Sequence, residues 1–352
     1  MEEVSLEVET VTPLFIAGAD QRNIGNEGLR PPSLRGLMRW WFRAIMGGIV
    51  STKDLRELES KIFGSTNQKS SVKILSTTKS QPSEISIPPD LRYLWFSIHM
   101  QKRKNQRLQC YPPKTKFKIT LSSDDEDNLK ITLGCLWTLI YLGGAGARMR
   151  RGAGSLKVNS ISGEIPYTFI FTGKTPTDAK GFIEENLAKI FRYFEEYAGE
   201  KINLQTNPSF AVLSKNHAKI SLIQQPLNTW ESALRKISNK YQLFRRGKRL
   251  EHRYTFGLPI VTHPVFKNLR QASPLLIGVM DLNGKYAIRL VKFYTSIHPD
   301  FSSKLRFLKQ DLDGFDDIVA KNGGLGEIKI ELPEVRCKNE RILAKQNQSI
   351  PP

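Results

Sequence analysis

The stretch NLKITLGCLWTLIYLGGAGARMRRGAGSLKVNSI, residues 128–161, decides the fold that this sequence predicts. Its first part is apolar nearly all round, which is typical of a buried helix rather than a surface helix. Its last part, SLKVNSI, has the pattern of a strand. Five glycines and three arginines lie in the loop between them. The sequence therefore predicts a buried helix that leads through a basic, glycine-rich loop into a strand.

Upstream of this stretch the sequence predicts one helix and three strands. Residues 4–8 alternate apolar and polar side chains as a half-buried strand does. A helix is expected from an N-cap at Ser33 to the stop at Gly47–Gly48. Two further strands are expected at 92–100 and 115–121. The order strand, helix, strand, strand, helix, strand is that of a ferredoxin-like (RRM-like) domain, in which two helices cover one face of an antiparallel sheet.

The second half of the chain repeats this arrangement less clearly. Asn283–Gly284 suits a type I′ turn between two alternating strands. Because 352 residues are too many for one ordinary core, we expect α+β architecture with two ferredoxin-like βαββαβ domains with insertions, residues 1–163 and 164–352. Helices and strands of the second half are expected at 177–197, 208–213, 218–223, 228–244, 274–293 and 326–332.

The charge balance is the outlier in an otherwise ordinary composition. The chain has 53 Lys and Arg residues against 34 Asp and Glu residues, which gives a net charge of +19 and a pI of about 9.8. A field of that sign attracts polyanions such as nucleic acid or an anionic membrane.

Several classes of protein are disfavoured by the same sequence. No apolar stretch is long enough for a spanning helix, and the N-terminus lacks the features of a signal peptide, so we expect a cytoplasmic protein. Cys110, Cys135 and Cys337 have no CxxC spacing, and the five histidines are scattered. The glycine-rich loop matches neither a dinucleotide fingerprint nor a Walker loop. We therefore expect no metal and no cofactor.

The first predicted helix carries a row of positive charges. Arg35, Arg39 and Arg43 are spaced four residues apart, so they form one stripe. The helix contains no acidic residue to relieve their repulsion. Trp41 falls within the apolar face, whereas Trp40 falls outside it, where an indole is either covered by another segment or available to a partner. The plainer alternative for the stripe is a solvated basic face.

Two neighbouring features extend this basic surface. The loop before the helix adds Arg22 and Arg30, and the free N–H groups at the Ser33 end suit a phosphate. In the loop at 143–156, glycines let backbone amides approach a phosphate chain closely, while arginines supply charge. The plainer alternative for this loop is a helix C-cap joined to a turn. Its candidate RNA-binding residues are Gly144, Gly146, Arg148, Arg150, Arg151, Gly152 and Gly154.

Two other basic runs lie at residues 102–107 and 245–253. Each alone is best explained as a solvated surface loop. Because several segments all carry positive charge, the sequence nevertheless favours one extended anionic ligand.

Three segments together resemble a known family. TPLFIAGAD (12–20), LRPPSLRGLMRWWFRA (29–44) and GGAGARMRRGAGSL (143–156) occur in the order seen in the RAMP superfamily of CRISPR proteins. Within it, the pairing of PPSLRG with RWWFRA is most similar to the first subunit of the type III-B Cmr effector complex. The resemblance covers the first half of the chain closely.

The resemblance implies a non-catalytic RNA-binding subunit of a CRISPR ribonucleoprotein, located near the guide 3′ end. Its implied partners are guide RNA, target RNA and the other Cmr subunits. It implies that the arginines of the first helix and of the glycine-rich loop hold phosphates, and that Trp40 and Trp41 pack or stack. Contacts to backbone and stacking contacts would be independent of sequence, as different guides require.

Other functions stay open at this point. The resemblance places Asp20 where a related backbone subunit has an acid that supports target cleavage, but no second acid or histidine is adjacent in sequence. We therefore expect that the chain is not an enzyme. The alternative is a metal-independent endoribonuclease that processes CRISPR repeat RNA. A third possibility is an assembly subunit whose basic faces contact acidic partner proteins. A membrane-surface role ranks last.

Overall fold

The computed structural model describes residues 2–17, 24, 28–98, 109–203, 208–248, 250–257, 268–295, 305–321 and 324–330. Four features named above lie outside the described residues: Asp20, Arg22, Cys337 and the basic run at 102–107. None of the helices within the described ranges is long and apolar enough to cross a membrane.

Strands and helices are numbered here in chain order. The strands are β1 Glu2–Thr10, β2 Val72–Thr77, β3 Ser83–Glu84, β4 Gln109–Cys110, β5 Lys116–Ser123, β6 Leu156–Ser162, β7 Ala218–Ile223, β8 Leu275–Asp281, β9 Tyr286–Phe293 and β10 Leu325–Ile328. The helices are α1 Pro31–Met46, α2 Thr52–Phe63, α3 Glu126–Tyr141, α4 Pro176–Ala198, α5 Trp230–Arg246, α6 Leu250–Arg253 and α7 Leu305–Ala320.

Two four-stranded antiparallel sheets form the framework. The first has the strand order β2-β5-β1-β6, and the second has the order β10-β7-β9-β8. Strands β3 and β4 form a separate two-stranded ribbon. The chain is therefore a mixed α+β protein with antiparallel sheets.

The second sheet lies between two hydrophobic cores, since its alternating residues pack into one core, shared with the first sheet, and into the other. Helices α1, α3 and α4 contribute to the first core, where α4 contacts both α1 and α3. Helices α5 and α7 contribute to the second core. The segment 87–98, which comes from the first half of the sequence, packs into this second core. The division of the chain at residue 163 stays a prediction.

Helix α1 begins before the position that the sequence suggests. Its N-cap is Arg30 and its first turn contains Pro31 and Pro32, so the prediction of Ser33 as N-cap is wrong. Proline already has the φ angle of a helix and has no N–H to leave unsatisfied, which favours a start at these residues. The predicted stop is confirmed, since Gly47 is the C-cap.

The predicted strand at 92–100 is wrong. Its described part, 92–98, consists of turns and one helical turn. Phe96 is exposed although an alternating strand would bury it. The second strand of the first sheet is instead β2, which lies in a polar, serine-rich segment. The buried residues, at the i, i+3, i+4, i+7 spacing of a helix, are Leu91, Leu94, Trp95 and Ile98.

Most other predicted elements are confirmed, including the buried helix α3 and the hairpin of β8 and β9. In the hairpin turn, Asn283 has φ of 55° and Gly284 has φ of 112°, as a type I′ turn requires. The predicted strand at 208–213 is absent from the described sheets. There the amide of Leu213 donates to the carbonyl of Ala44 over 2.7 Å, so the segment lies against α1 instead.

A buried arginine joins the second sheet to helix α3. Arg289 of β9 is 2% exposed and donates to the carbonyls of Tyr141 and Gly143, at the C-terminus of α3. These carbonyls have no partner within the helix, and a cation there is favoured by the helix dipole. Gly278 on the adjacent strand leaves room for the guanidinium, because a Cβ there would overlap it. Burial lowers the pKa of Arg289 to about 9.

Candidate nucleic-acid interface

The arginine row of α1 faces a carboxylate on α2. Arg39 Nε lies 2.6 Å from Glu59 Oε1, and Arg43 Nε lies 2.5 Å from Glu59 Oε2. Glu59 is 4% exposed. Burial raises its pKa, but the hydrogen bonds from Arg43 and Arg39 outweigh this effect, so the pKa lies below its ordinary value. The row therefore docks α2 onto α1.

Arg35 has a related structural role. Its guanidinium donates to the carbonyls of Phe63 and Val72, each over 3.2 Å. Phe63 is the last residue of α2, so Arg35 satisfies a helix-terminal carbonyl. The three arginines, expected from the sequence to be unpaired charges, therefore all have partners in the structure. One carboxylate for three arginines still leaves an excess of positive charge.

Exposure differs along this row. The side chain of Arg43 is 50% exposed and that of Arg39 is 33% exposed, although both bind Glu59. These two guanidinium groups therefore still reach solvent.

Trp40 is covered by other parts of the chain. The guanidinium carbon of Arg150 lies 4.9 Å from its ring centroid, and the Phe293 ring lies 5.5 Å away, edge to face. Trp41 is fully buried, as its place on the helical wheel predicts. The Trp40–Arg150 pair brings α1 into contact with the glycine-rich loop.

Close backbone packing explains the glycines of the loop. Gly154 accepts from the amide of Ala145 over 2.9 Å and donates to Pro13. A Cβ at Gly154, where φ is 62°, would overlap the carbonyl of Ala145. A Cβ at Gly146 would overlap the carbonyl of Phe15. These glycines are required by the fold whether or not RNA binds.

The remaining candidate glycines also pack tightly. A Cβ at Gly152, where φ is 83°, would overlap the side chain of Leu234 on α5. A Cβ at Gly144 would lie 2.9 Å from the carbonyl oxygen of Gly154. The loop is thereby held against both halves of the chain.

Arg151 is a buried structural cation. It is 8% exposed and donates to the carbonyls of Leu275 and Phe256, each over 2.9 Å. It also donates to the hydroxyl of Tyr241 over 2.8 Å. Burial lowers the pKa of its guanidinium. Arg151 thus joins the glycine-rich loop to the second half.

Arg150 is fixed in a similar way. Its Nη1 donates to the carbonyl of Ser273 over 2.5 Å, while its own carbonyl accepts from the amide of Ile277 over 3.2 Å. Burial, and then the charge of Arg151, lower its pKa to about 10. It stays protonated at neutral pH.

Arg148 lies at the partly exposed tip of the loop. Its backbone has φ of 61°, a conformation that residues with a Cβ rarely adopt. Its Nε donates to the hydroxyl of Ser97 over 2.8 Å. No carboxylate of the described residues forms an ion pair with it. Burial, and then Arg151, lower its pKa. The tip therefore presents a guanidinium without a counter-charge.

Arg30 belongs to the same end of the loop. Its Nη2 lies 3.4 Å from the carbonyl of Ala17. Ala17 is two residues after Phe15, which pairs with Ala147 beside Arg148. Ser33, inside the first turn of α1, is partly exposed. Arg30 thus contacts the segment that pairs with the glycine-rich loop beside Arg148, whereas the α1 row faces α2.

Glu59 is the important residue that sequence reasoning missed. It lies four residues after Leu55 and three before Ile62, on the apolar face of α2. An acid at such a position indicates a buried ion pair, so the signal is present in the sequence once α2 is recognised.

The described residues contain no group of three or more His, Cys, Asp or Glu side chains placed to hold a metal ion. Cys110 and Cys135 are buried and free. Burial raises the pKa of the Cys110 thiol to about 12.

Comparison with known proteins places this chain in a class. Residues 7–157 match the family model of the RAMP superfamily, which covers the first sheet and the glycine-rich loop up to the start of β6. Residues 218–326 match a second model, described as Cmr1-like, C-terminal.

Two individual proteins similar in sequence identify the family within this superfamily. The chain is 34% identical over 310 residues to the CRISPR system Cmr subunit Cmr1-1 of Pyrococcus furiosus, covering 85% of this chain and 89% of that protein. It is 37% identical over 186 residues to Cmr1-2 of the same organism, covering 46% of this chain and 97% of the other. The chain therefore belongs to the Cmr1 family of RAMP proteins of type III-B CRISPR systems.

Solved structures agree with this assignment. The crystal structure of Cmr1 from Pyrococcus furiosus in its apo form matches with a TM-score of 0.72 and 29% identity, over 94% of this chain and 99% of that one. A chain of the type III-B Cmr-beta complex bound to cognate target RNA matches with a TM-score of 0.56 and 13% identity, over 91% and 100%. The second likeness shows the fold alone.

Proposed function

We propose that this chain is a non-catalytic subunit of a type III-B CRISPR ribonucleoprotein that binds RNA independently of sequence. It would contact guide or target RNA near the guide 3′ end, beside other Cmr subunits. The net charge of +19 supports an RNA ligand. The 34% identity to the CRISPR system Cmr subunit Cmr1-1 supports a place beside other Cmr subunits.

The observation that carries the proposal is Arg148. Its guanidinium is partly exposed and has no carboxylate partner among the described residues, so it is available to a phosphate. Arg30 adds a second cation at the same end of the loop. Arg39 and Arg43 supply a weaker site, because Glu59 cancels part of their charge. Arg35, Trp40, Arg150 and Arg151 hold the shape of the surface.

We also propose that each half is a ferredoxin-like domain. Apart from the additional elements α2, β3 and β4, the first half has the order β1, α1, β2, β5, α3, β6. Apart from α4 and α6, the second has β7, α5, β8, β9, α7, β10. Numbered within its own half, each sheet has the strand order 4-1-3-2. The shared order supports two copies of one βαββαβ unit.

Salt-dependent RNA binding tests the main proposal. With single-stranded RNA, we expect log affinity to fall with log salt by about 0.7 for each phosphate neutralised. Arg148→Ala should weaken binding and reduce that slope by about 0.7. Arg192→Ala is the matched control, because it removes the same charge from an exposed position on α4. A flat salt response, or equal behaviour of the two variants, would contradict the proposal.

The non-catalytic part needs its own test. Two histidines of the described residues are engaged elsewhere, His217 with Ser214 over 2.8 Å and His252 with Asp311 over 3.1 Å. We expect no cleavage when the full chain is incubated with CRISPR repeat RNA in EDTA. Cleavage that persists in EDTA would favour the metal-independent endoribonuclease.

Crosslinking in the assembled particle tests the position of the chain. RNA crosslinked at the tip of the glycine-rich loop should map near the guide 3′ end. Protein-only crosslinks from this tip would instead favour an assembly subunit.

A further inference from the structure

Phe96 is an exposed aromatic ring on a rigid support. The residue is 56% exposed, whereas Trp95 and Ile98 beside it are 0% and 3% exposed. Trp95 Nε1 donates to the carbonyl of Arg151 over 3.1 Å, and the Trp95 ring lies 5.3 Å from that of Phe15. The backbone that carries Phe96 is therefore fixed to the glycine-rich loop.

The residue on the other side of Phe96 makes a second connection. The hydroxyl of Ser97 accepts from Arg148 Nε over 2.8 Å. Consecutive Cα atoms lie about 3.8 Å apart, so Phe96 is the chain neighbour of the residue that holds the Arg148 side chain. A single exposed apolar side chain is common on protein surfaces. An exposed ring beside a left-handed arginine that lacks a carboxylate is a more specific arrangement.

Other aromatic side chains do not offer a comparable surface. Trp40 is covered by Arg150 and Phe293. RRM domains stack bases on aromatic residues of the open sheet face. In the first sheet, the outward positions of β1 and β5 carry polar or charged residues, and Phe117 of β5 is only 1% exposed. Stacking on that sheet face is therefore not available among its described strands.

We propose that Phe96 is a stacking platform for an unpaired RNA base whose phosphate is held by Arg148. This inference rests on the proposed function and adds a base contact to it. A phenyl ring accepts any base, so the contact preserves independence from sequence. The buried residues Trp95 and Ile98 fix the backbone of Phe96 before RNA binds, which reduces the entropy lost on binding.

A comparison of normal and abasic RNA tests this contact. With a short oligouridylate, we expect Phe96→Ala to weaken binding by the full chain about five- to a hundredfold without changing the salt slope. With an abasic oligomer of equal phosphate number, Phe96→Ala should bind like wild type. Phe96→Tyr should retain affinity. Leu243→Ala, at a 68% exposed apolar residue of α5, is the matched control.

The possible failures are distinguishable. If wild type binds neither oligomer, the proposed function fails, and this inference fails with it. If wild type binds and Arg148→Ala weakens binding, but Phe96→Ala equals Leu243→Ala, only the stacking contact is wrong. Equal losses on normal and abasic RNA would show that Phe96 acts through the fold, which also overturns the stacking contact.

Discussion

The arginine row of α1 and the arginines of the glycine-rich loop satisfy their N–H groups in different ways. Arg39 and Arg43 share the carboxylate of Glu59. Arg150 and Arg151 bind backbone carbonyls, and no carboxylate of the described residues pairs with either. A carbonyl satisfies a donor without cancelling its net charge. The loop therefore keeps a positive field although two of its arginines are largely buried.

The largest expected effect comes from removing a buried arginine of the loop. Arg151→Met leaves the carbonyls of Leu275 and Phe256 and the Tyr241 hydroxyl without their donor. Each buried group left unsatisfied costs about 1–3 kcal/mol, so we expect a loss of about 3 kcal/mol or more in the free energy of unfolding. Urea denaturation measures it. Arg148→Met, at the tip, should change stability by less than about 0.5 kcal/mol.

Removing the charge of Glu59, the α2 carboxylate that binds the arginines of α1, should have the next largest effect on the free energy of unfolding. Glu59→Gln leaves Arg39 and Arg43 without a counter-charge, and we expect a loss of about 1–3 kcal/mol, because both guanidinium groups are partly exposed. Urea denaturation at neutral pH measures it.

The pH dependence provides a second readout for Glu59. Its pKa is lower in the folded chain than its ordinary value of 4.5. The stabilisation is therefore fully present above pH 4.5 and is lost as the pH falls below 4.5 through the folded pKa. Glu59→Gln should flatten the stability profile in that acid range. An unchanged profile would show that folding does not lower the pKa of Glu59.

These two regions also show what the sequence could predict. The wheel position of Trp41 and the nearly continuous apolar sequence of α3 are local features, and both predictions are confirmed. The pairing of Arg43 with Glu59 joins residues of two helices, so periodicity within α1 could not reveal it. The burial of Arg151 depends on carbonyls more than a hundred positions away.

The failure at residues 92–100 has a different cause. Leu94, Phe96 and Ile98 alternate as in a strand, while Leu91, Leu94, Trp95 and Ile98 have helical spacing. A segment this short matches both periods, and packing against the second core decides between them. Phe96 is exposed because it lies outside the helically spaced set that packs into this core.

The RNA affinity of single arginine variants compares the α1 row with the glycine-rich loop, and we expect smaller effects here than on stability. Arg43→Ala removes a cation that Glu59 already partly neutralises, so we expect less than a twofold loss of affinity for single-stranded RNA. Arg148→Ala removes an uncompensated cation and should cost about five- to tenfold. Fluorescence anisotropy at one salt concentration measures both. A larger loss for Arg43→Ala would move the main RNA contact to α1.

The smallest effect is expected within α1 itself. Gly36 is exposed, has no heavy atom within 4 Å of an added Cβ and lies in the helix interior. Gly36→Ala should therefore stabilise the chain by about 0.5–1 kcal/mol, since alanine loses less backbone entropy. Gly152→Ala, with φ of 83° and Leu234 against its Cβ position, should instead destabilise it. Thermal unfolding of both variants separates a glycine that the helix tolerates from one that the loop requires, and equal shifts would contradict the tight packing described for the loop.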